Sequence, residues 1–584
     1  MKLKIHMQQG LKYLWQLPPH IQESAALECA AHYNLSYPLI QTLFSRGYTT
    51  KEELDGFLFS SIEKSVAHPS LLKDADKAVD RIVYALEHQE KILIFGDYDV
   101  DGITSSALMM CCLLPLGAHI NFFLPHRVHD GYGLSEKVVN RAAQNNYKLI
   151  ITVDNGITAF GPATLAKKLG IDLIITDHHQ PHDHLPEAFA VIDPHQRDCM
   201  YPYKKFAGVG VSFKVLSLLY ERKGIPLPPK AYELLLLGTV ADVVPLTGEN
   251  RFWVRHGLQH INDHETVALS VLKRNSNVIK PRISSTDIGF SITPQINALG
   301  RLEDPRQGVK FLIGSDVQET ELIGKTLFEL NQARKEIERG IFNQVAEQIE
   351  KGAIQLDKEN IIVAASSSWP PGVIGLVASR LVGAYGKPAI LLHLTSDGKA
   401  KGSCRSISAF NMFSALQSAN HLLDRFGGHA AAAGLSLSVE NIPALKEHLE
   451  TRIAQELTPH DLMQKIKLDA QVSLGDLTQK FVTDLQYLEP FGHENPTPSF
   501  YVKQVNLMQK PTLLKDAHVK CQVFADGVIK PIIFFNRPEL FNILMGQELE
   551  PFDIAAQVSE NHWNGKVTIE LTGLDVAGVK GSTT

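Results

Sequence analysis

The sequence of 584 residues lacks an apolar run long enough to span a bilayer. Its most apolar stretch, Ala107 to Ala118, is short and interrupted by Pro115, so it reads as a buried helix. The opening MKLKIHMQQGLKYLW lacks the apolar core of a signal peptide. A cytoplasmic protein with no membrane attachment is expected. Only six cysteines are present and none forms a C-x-x-C pair. That argues against a zinc site or a disulfide framework and fits free thiols in a reducing compartment. A large excess of one charge is missing too: 57 Lys and Arg against 63 Asp and Glu leave a net charge of −6. Overall charge therefore does not hold this protein to nucleic acid, although a local basic groove is compatible with it. The length is too great for one core, so several domains are expected.

What is present is organised around Lys91 to Gly102, KILIFGDYDVDG. Ile92, Leu93, Ile94 and Phe95 form a strand-like apolar run. It breaks at Gly96, and Asp97, Asp99 and Asp101 follow at alternate positions before Gly102. Like charges at that spacing raise one another's pKa unless a cation sits among them, and hard oxygen ligands suit Mg²⁺ or Mn²⁺. The glutamate that closes an EF-hand loop is absent. On this stretch alone, a metal-binding turn and an acidic turn facing water both remain open.

From Lys91 onward, strands and helices alternate: KILIF, HINFFLP, KLIITVDNG, DLIITDHH and AVIDPH are strand-like, with helical segments between them. The rhythm predicts a parallel, doubly wound α/β sheet, in which ligands gather beyond the carboxyl ends of the strands. Three strands end in polar groups: Asp97 and Asp99, then Asp154, then Asp177, His178 and His179. Their recurrence at one edge points to a metal site. Asp242 ends the apolar run LLLLGTVAD and reads either as a further ligand or as a helix cap.

The remainder divides by pattern. Residues 1–85 read as a supporting N-terminal helical subdomain, and 86–315 as the catalytic α/β domain. A long amphipathic helix over 316–352 is expected to connect it to a second, smaller α/β domain over 353–460. There GKAKGSCRSI and RFGGHAAAAG form glycine-bearing polar segments whose backbone amides could approach phosphate, with Arg405 as a fork donor. Residues 461–584 carry short alternating strands that suit an OB-like β-barrel. Its Phe491, Phe500, Tyr501, Phe524, Phe534 and Phe535 divide between core rings and exposed rings able to stack bases, a division the sequence alone does not make.

In order and spacing, Asp97-Tyr98-Asp99, Val153-Asp154-Asn155-Gly156, Asp177-His178-His179 and Ala241-Asp242 resemble the four motifs of DHH phosphoesterases. Within that family the blocks GDYDVDGITS, ITVDNGI, TDHH, LGTVADVVPL, NALGRL, KGSCRSI, RFGGHAAAAGL and LEPFGHENPTPSF resemble RecJ-type single-strand exonucleases over most of the chain. The resemblance implies 5′ to 3′ hydrolysis of single-stranded DNA to mononucleotides, in DNA repair and recombination, with two Mn²⁺ or Mg²⁺ ions. It implies Asp97, Asp99, Asp154, His178 and Asp242 as metal ligands and His179 as a contact to the phosphate or leaving group. It implies Asp177 as a residue orienting a histidine, and leaves Asp101 either binding metal or holding its loop. Arg127, Arg301, Ser403, Arg405, Gly427, Gly428 and His429 would bind the strand and its terminal 5′-phosphate. A single-strand-binding protein and a helicase are implied as partners. No stretch reads as a dimer seam, so a monomer is expected.

Two positions depart from the family pattern. Pro370 stands where W-H-P-G-V has histidine, and Gln295 stands where an arginine is usual, a change expected to weaken backbone contact with the strand. Two other functions remain in view: a DHH hydrolase of short oligonucleotides or cyclic dinucleotides, and a DNA-binding scaffold that does not cut.

Overall fold

The computed structural model describes residues 6–126, 131, 133–314, 316–546, 550–563 and 566–579. Its catalytic half is built on five parallel strands: β1 (Lys91–Phe95), β2 (His119–Phe123), β3 (Tyr147–Val153), β4 (Asp172–Thr176) and β5 (Ala190–Ile192), in the order β2-β1-β3-β4-β5. Residues of β1 alternate between the two faces. Ile92 and Ile94 pack into a core shared with the helices Val100–Leu113 and Gly208–Arg222, whereas Leu93 and Phe95 pack with Val139 and Ala163 on the other side. Burial on both faces explains why the strands read as nearly continuous apolar runs. The strand order reverses direction at β1 and β3, which opens a crevice at their carboxyl ends.

The helix Val317–Glu350 joins this half to the next. Leu327 belongs to the catalytic core, while Ile341 and Val345 belong to the core of the second α/β unit. One amphipathic stripe thus serves two cores. The second unit has a five-stranded sheet of β6 (Ile362–Ser366), β7 (Ala389–Leu394), β8 (Lys399–Arg405), β9 (Arg425–Gly428) and β10 (Ala432–Ser438), in the order β9-β10-β8-β7-β6. The helix Pro371–Tyr385 covers one face.

The C-terminal part is a closed barrel. Strands β11 (Phe500–Leu507), β12 (His518–Ala525), β13 (Val528–Phe534), β14 (Phe552–Trp563) and β15 (Lys566–Ala577) pair in the cycle β11-β14-β15-β13-β12, and β12 returns to β11. Closure removes the open sheet edges.

The residues expected to form a supporting helical subdomain over 1–85 pack against two other parts of the chain. The strand Leu14–Gln16 pairs with Lys465–Lys467, and the Trp15 indole donates to Asp575 Oδ2 at 3.0 Å. Leu39, Leu43 and Phe57 share one core with Phe481, Phe500 and Phe534 of the barrel region. The helix Ala75–Glu87 instead packs into the catalytic core. Arg251 fastens the parts together. It is buried and donates to the carbonyls of Phe57 (2.9 Å), Tyr487 (2.7 Å) and Glu489 (2.9 Å). No helix among the described residues is long and apolar enough to cross a membrane.

Candidate metal centre and phosphate-binding face

The opening of the crevice is set by a tight turn after β1. Asp99 caps the helix Val100–Leu113, its Oδ1 accepting from Gly102 N at 3.2 Å. The turn needs glycine at 102, because a Cβ there would lie 2.4 Å from the Asp97 carbonyl oxygen. Asp97 and Asp154 are both buried, and Asp99 stands between solvent and core. Asp154, just beyond β3, holds a left-handed backbone with φ of 61°. Gly208 leaves room for it, since a Cβ at 208 would sit 2.5 Å from Asp154 Cβ. His178 follows β4, and Asp242 ends the helix Lys230–Ala241.

These groups converge. Ligand atoms of Asp97, Asp99 and Asp154 lie within 4.8 Å of one another, as do those of Asp154, His178 and His179, and those of Asp101, His178 and Asp242. His178 Nε2 stands 3.1 Å from Asp154 Oδ1 and 3.7 Å from Asp242 Oδ2. Burial holds the His178 ring neutral, with its pKa near 3, and the neighbouring His179 adds to that. The Phe206 backbone takes the hydrogen bond of its other ring nitrogen, which leaves the Nε2 lone pair aimed at the acids. Burial raises the pKa of Asp154 well above the carboxylate range, and Asp101, Asp99, Asp242 and Asp97 push it further. Asp242 is raised likewise, by burial and then by Asp101 and Asp99. Neither Asp154 nor Asp242 has a Lys or Arg partner among the described residues. Buried His178 Nε2 and Asp242 Oδ2 have no hydrogen bond. Hard oxygens, a neutral imidazole and uncompensated negative charge fit divalent cations, and the recurrence of Asp154 in two groups fits a pair of them.

Asp101 sits differently from its neighbours. It is fully buried, and its Oδ2 and Oδ1 accept from the backbone N–H of Gly208 (2.6 Å) and Val209 (2.8 Å). Burial and then Asp99 raise its pKa to about 7. It ties the first turn of one helix to the start of another, while its carboxylate also lies within one ligand group with His178 and Asp242. Asp177 is also occupied: it accepts from Ile157 N, His178 N, His179 N and, at 2.7 Å, His179 Nδ1. Burial alone would raise Asp177, but the His179 hydrogen bond and charge carry it below its ordinary value. The His179 pKa moves to about 9; burial opposes protonation, and the bond and charge of Asp177 overcome it. Asp177 therefore bonds the ring of His179 and meets His178 only through its backbone N–H.

The predicted strand-binding residues gather on the second sheet. Ser403 and Arg405 project from the same face of β8 toward the helix Pro371–Tyr385. Arg405 donates to Ser403 Oγ (3.1 Å), Ser379 Oγ (3.0 Å) and the Cys404 carbonyl (2.8 Å). A Cβ on Gly375 would lie 2.8 Å from Ser403 Oγ, so this helix must be bare there. Register aligns the rest. Gly434 of β10 pairs with Ser403 on one side and with Gly427 on the other, and His429 N donates to Ala432 O, whose residue pairs with Arg405. Gly427 and Gly428 are thus strand residues, not the loop that a polar glycine segment suggests. Gly434 completes the row and was hidden in HAAAAGL, where only register could reveal it. Ser379 carries no signal in the sequence, and Asn155, which stands there only as part of its motif, bridges the ends of β1 and β3 through Nδ2 bonds to the Phe95 (3.3 Å) and Val153 (2.9 Å) carbonyls.

Arg301 lies on the helix Thr293–Leu302 and donates to the Gly372 carbonyl at 2.9 Å, linking the two α/β units. Arg127 lies outside the described residues. Gln295 is buried, and its Nε2 donates to Ser276 Oγ (2.6 Å) and the Leu272 and Ser291 carbonyls (both 3.0 Å). It is an internal tie, which is compatible with the weakened strand contact expected of this departure. Pro370 caps the helix Pro371–Tyr385. In the barrel, Phe500, Tyr501 and Phe534 are core, Phe491 packs against it, and Phe524 and Phe535 are exposed.

Comparison with known proteins agrees with this geometry. Residues 91–239 match the model of the DHH family N-terminal domain, 358–455 the DHHA1 domain and 468–575 the RecJ OB domain. The chain is 35% identical to the single-stranded-DNA-specific exonuclease RecJ of Bacillus subtilis, covering 92% of this chain and 68% of that one. It is 34% identical to the protein of the same name from Escherichia coli, covering 83% and 86%. RecJ from Thermus thermophilus, solved in complex with Mn²⁺, superposes with a TM-score of 0.82 at 27% identity, over 96% of this chain and 79% of that one. The same protein has been solved in complex with Mg²⁺ (TM-score 0.74, 26% identity), covering 96% and 78%. With its acidic crevice, its second sheet and its closed barrel, the chain belongs to the RecJ family of DHH phosphoesterases.

Proposed function

We propose that this protein is a metal-dependent exonuclease that degrades single-stranded DNA from the 5′ end and releases mononucleotides. The observation that carries the reading is the convergence of Asp97, Asp99, Asp154, His178 and Asp242 at the carboxyl edge of the sheet, with buried Asp154 shared between two ligand groups. Asp97, Asp99 and Asp154 would hold one cation, and Asp154, His178 and Asp242 a second. When bound, the pair supplies activated water and charge stabilisation at the scissile phosphate. Asp101 keeps the helix Gly208–Arg222 seated against Asp154. His179, kept protonated by Asp177, offers a proton to the phosphate or to the departing oxygen. Ser403, Arg405 and the Gly434–Gly427 row take the terminal 5′-phosphate, with His429 and Arg301 beside it. Binding the chain end sets exonucleolytic action. The barrel, with Phe524 and Phe535 exposed, holds the trailing strand. The same reading places the protein in the cytoplasm as a monomer, on strands opened by a helicase and coated by a single-strand-binding protein.

The test is degradation of a 20-nucleotide strand, labelled at either end and with or without a 5′-phosphate, in Mn²⁺, Mg²⁺ or chelator. Mononucleotides should leave the 5′ end only when metal is present, with single strands preferred to duplex. Cleavage restricted to dinucleotides, or tight strand binding with no release in either metal, would overturn the reading.

A further inference from the structure

The helix Thr293–Leu302 reaches the crevice at its carboxyl end, and its contacts there give the crevice a direction. Near its carboxyl end Arg301 donates to Gly372 O of the second α/β unit. One residue earlier, Gly300 lies against the carbonyl of Tyr98, between the two acids of the first motif; a Cβ there would meet that oxygen at 2.0 Å. The helix is preceded by a π-helical turn, Ile288–Ile292, a form that often marks functional positions. Ile288 and Ile292 are buried, whereas Phe290 between them is 82% exposed. No ring pairs with Phe290 among the described residues. Gly289 packs toward Val240, two residues before Asp242. Val243 follows Asp242 with φ of 59°, strained for a β-branched residue, and the residue is 64% exposed.

An exposed phenylalanine and an exposed, strained valine therefore flank the segment that carries Asp242. From Phe290 to Arg301 the helical rise gives a span of roughly 16 Å. The order along it is phosphate-binding unit, acidic centre, apolar shelf. We infer that Phe290, with Val243 beside Asp242, stacks the nucleobase on the 3′ side of the scissile phosphate and so registers the strand over the metal centre. Neither side chain has a hydrogen-bonding group, so the shelf accepts any base, as an exonuclease that removes successive nucleotides requires. This inference rests on the proposed exonuclease function and deepens it.

The experiment uses the full chain and 5′-phosphorylated 20-nucleotide strands carrying 2-aminopurine at one of the first four positions. In chelator, where no cutting occurs, the wild-type protein should change the fluorescence most at a position after the first nucleotide. Phe290→Ala should abolish that change at that position alone, and in Mn²⁺ its KM should rise about tenfold or more with most of the loss in KM. Phe290→Trp should restore both. A strand abasic at that position should bind wild type as weakly as the intact strand binds Phe290→Ala, with no further loss when the two are combined. Because Phe290 is exposed, its thermal midpoint should match wild type. Unchanged KM and unchanged fluorescence in Phe290→Ala, with wild type active, would overturn the inference. A wild type that releases no nucleotides would instead overturn the function on which it rests.

Discussion

In the first sheet the functional atoms arrive at the ends of strands; in the second they lie across them. Asp97, Asp154 and His178 reach one point from three neighbouring strands, the two acids buried and the histidine half-buried, without Lys or Arg around Asp154. Ser403, Gly434 and Gly427 lie side by side on three antiparallel strands, and the row is open: a Cβ on Gly427 would meet nothing within 4 Å. A cation is enclosed by convergence, because several charges must face one another out of water. A phosphate at a chain end is met by a flat surface, because backbone and guanidinium must approach it from one side. The first arrangement costs stability until its ion binds. The second costs little.

That contrast fixes the largest predicted effect. Asp154→Asn keeps a residue tolerant of φ near 60° and removes the shared charge. Nucleotide release should fall by about a hundredfold to a thousandfold, the cost typical of removing one such electrostatic group. Strand binding in chelator should persist, and calorimetry should show Mn²⁺ binding lost. The metal-free variant should also melt higher than metal-free wild type, by about 2–4 °C, because one of the repelling buried acids is gone. A lower midpoint would mean that Asp154 is stabilised by something other than metal. Arg405→Ala should act more mildly. Discrimination between 5′-phosphate and 5′-hydroxyl strands should fall about tenfold to a hundredfold, the value of a hydrogen bond to a charged group. Equal loss on both strands would detach Arg405 from the terminal phosphate.

The contrast also explains what the sequence could reveal. Convergence at strand ends is written in order along the chain: apolar run, break, acid. That is why Asp97, Asp99, Asp154 and His178 are legible from spacing and family likeness alone. A row across a sheet is written only in register, so Gly434 was lost among alanines while Gly427 stood out for its doublet. Asp101 had the same local sequence environment as Asp97. Only the approach of Gly208, more than a hundred residues later, occupied its oxygens with backbone N–H groups. Gln295 is legible in sequence only as a departure from the family pattern; its inward turn to Ser276 and Ser291 depends on packing that the sequence does not display. The first sixty residues looked independent because their partners, such as Phe481 and Asp575, lie over four hundred residues away.

The openness of the second face can be tested by filling it. Gly427→Val introduces a β-branched side chain on a strand position with ordinary backbone and free space, so folding should be untouched. End capture should weaken by about threefold to tenfold in KM, near 1 kcal/mol of lost approach. If KM is unchanged, the terminal phosphate does not use this row, and the face is narrower than the register suggests.

The smallest effect lies where the two chemistries meet, at the Asp177–His179 pair behind the metal ligands. With its pKa raised to about 9, His179 contributes stability that is fully present below its ordinary value near 6.5 and is lost as pH rises through about 9. Asp177, lowered below 3.8, contributes stability that is present above that value and lost as pH falls below it. In chelator, wild type should therefore melt above His179→Asn by the widest margin near pH 5–6, with the gap closing by about pH 10. His179 is partly exposed, so the margin should be no more than about 2 °C. Thermal unfolding of both proteins across that pH range is the measurement. A gap that persists undiminished at pH 10 would show that His179 holds its place by packing, without an ion pair to Asp177.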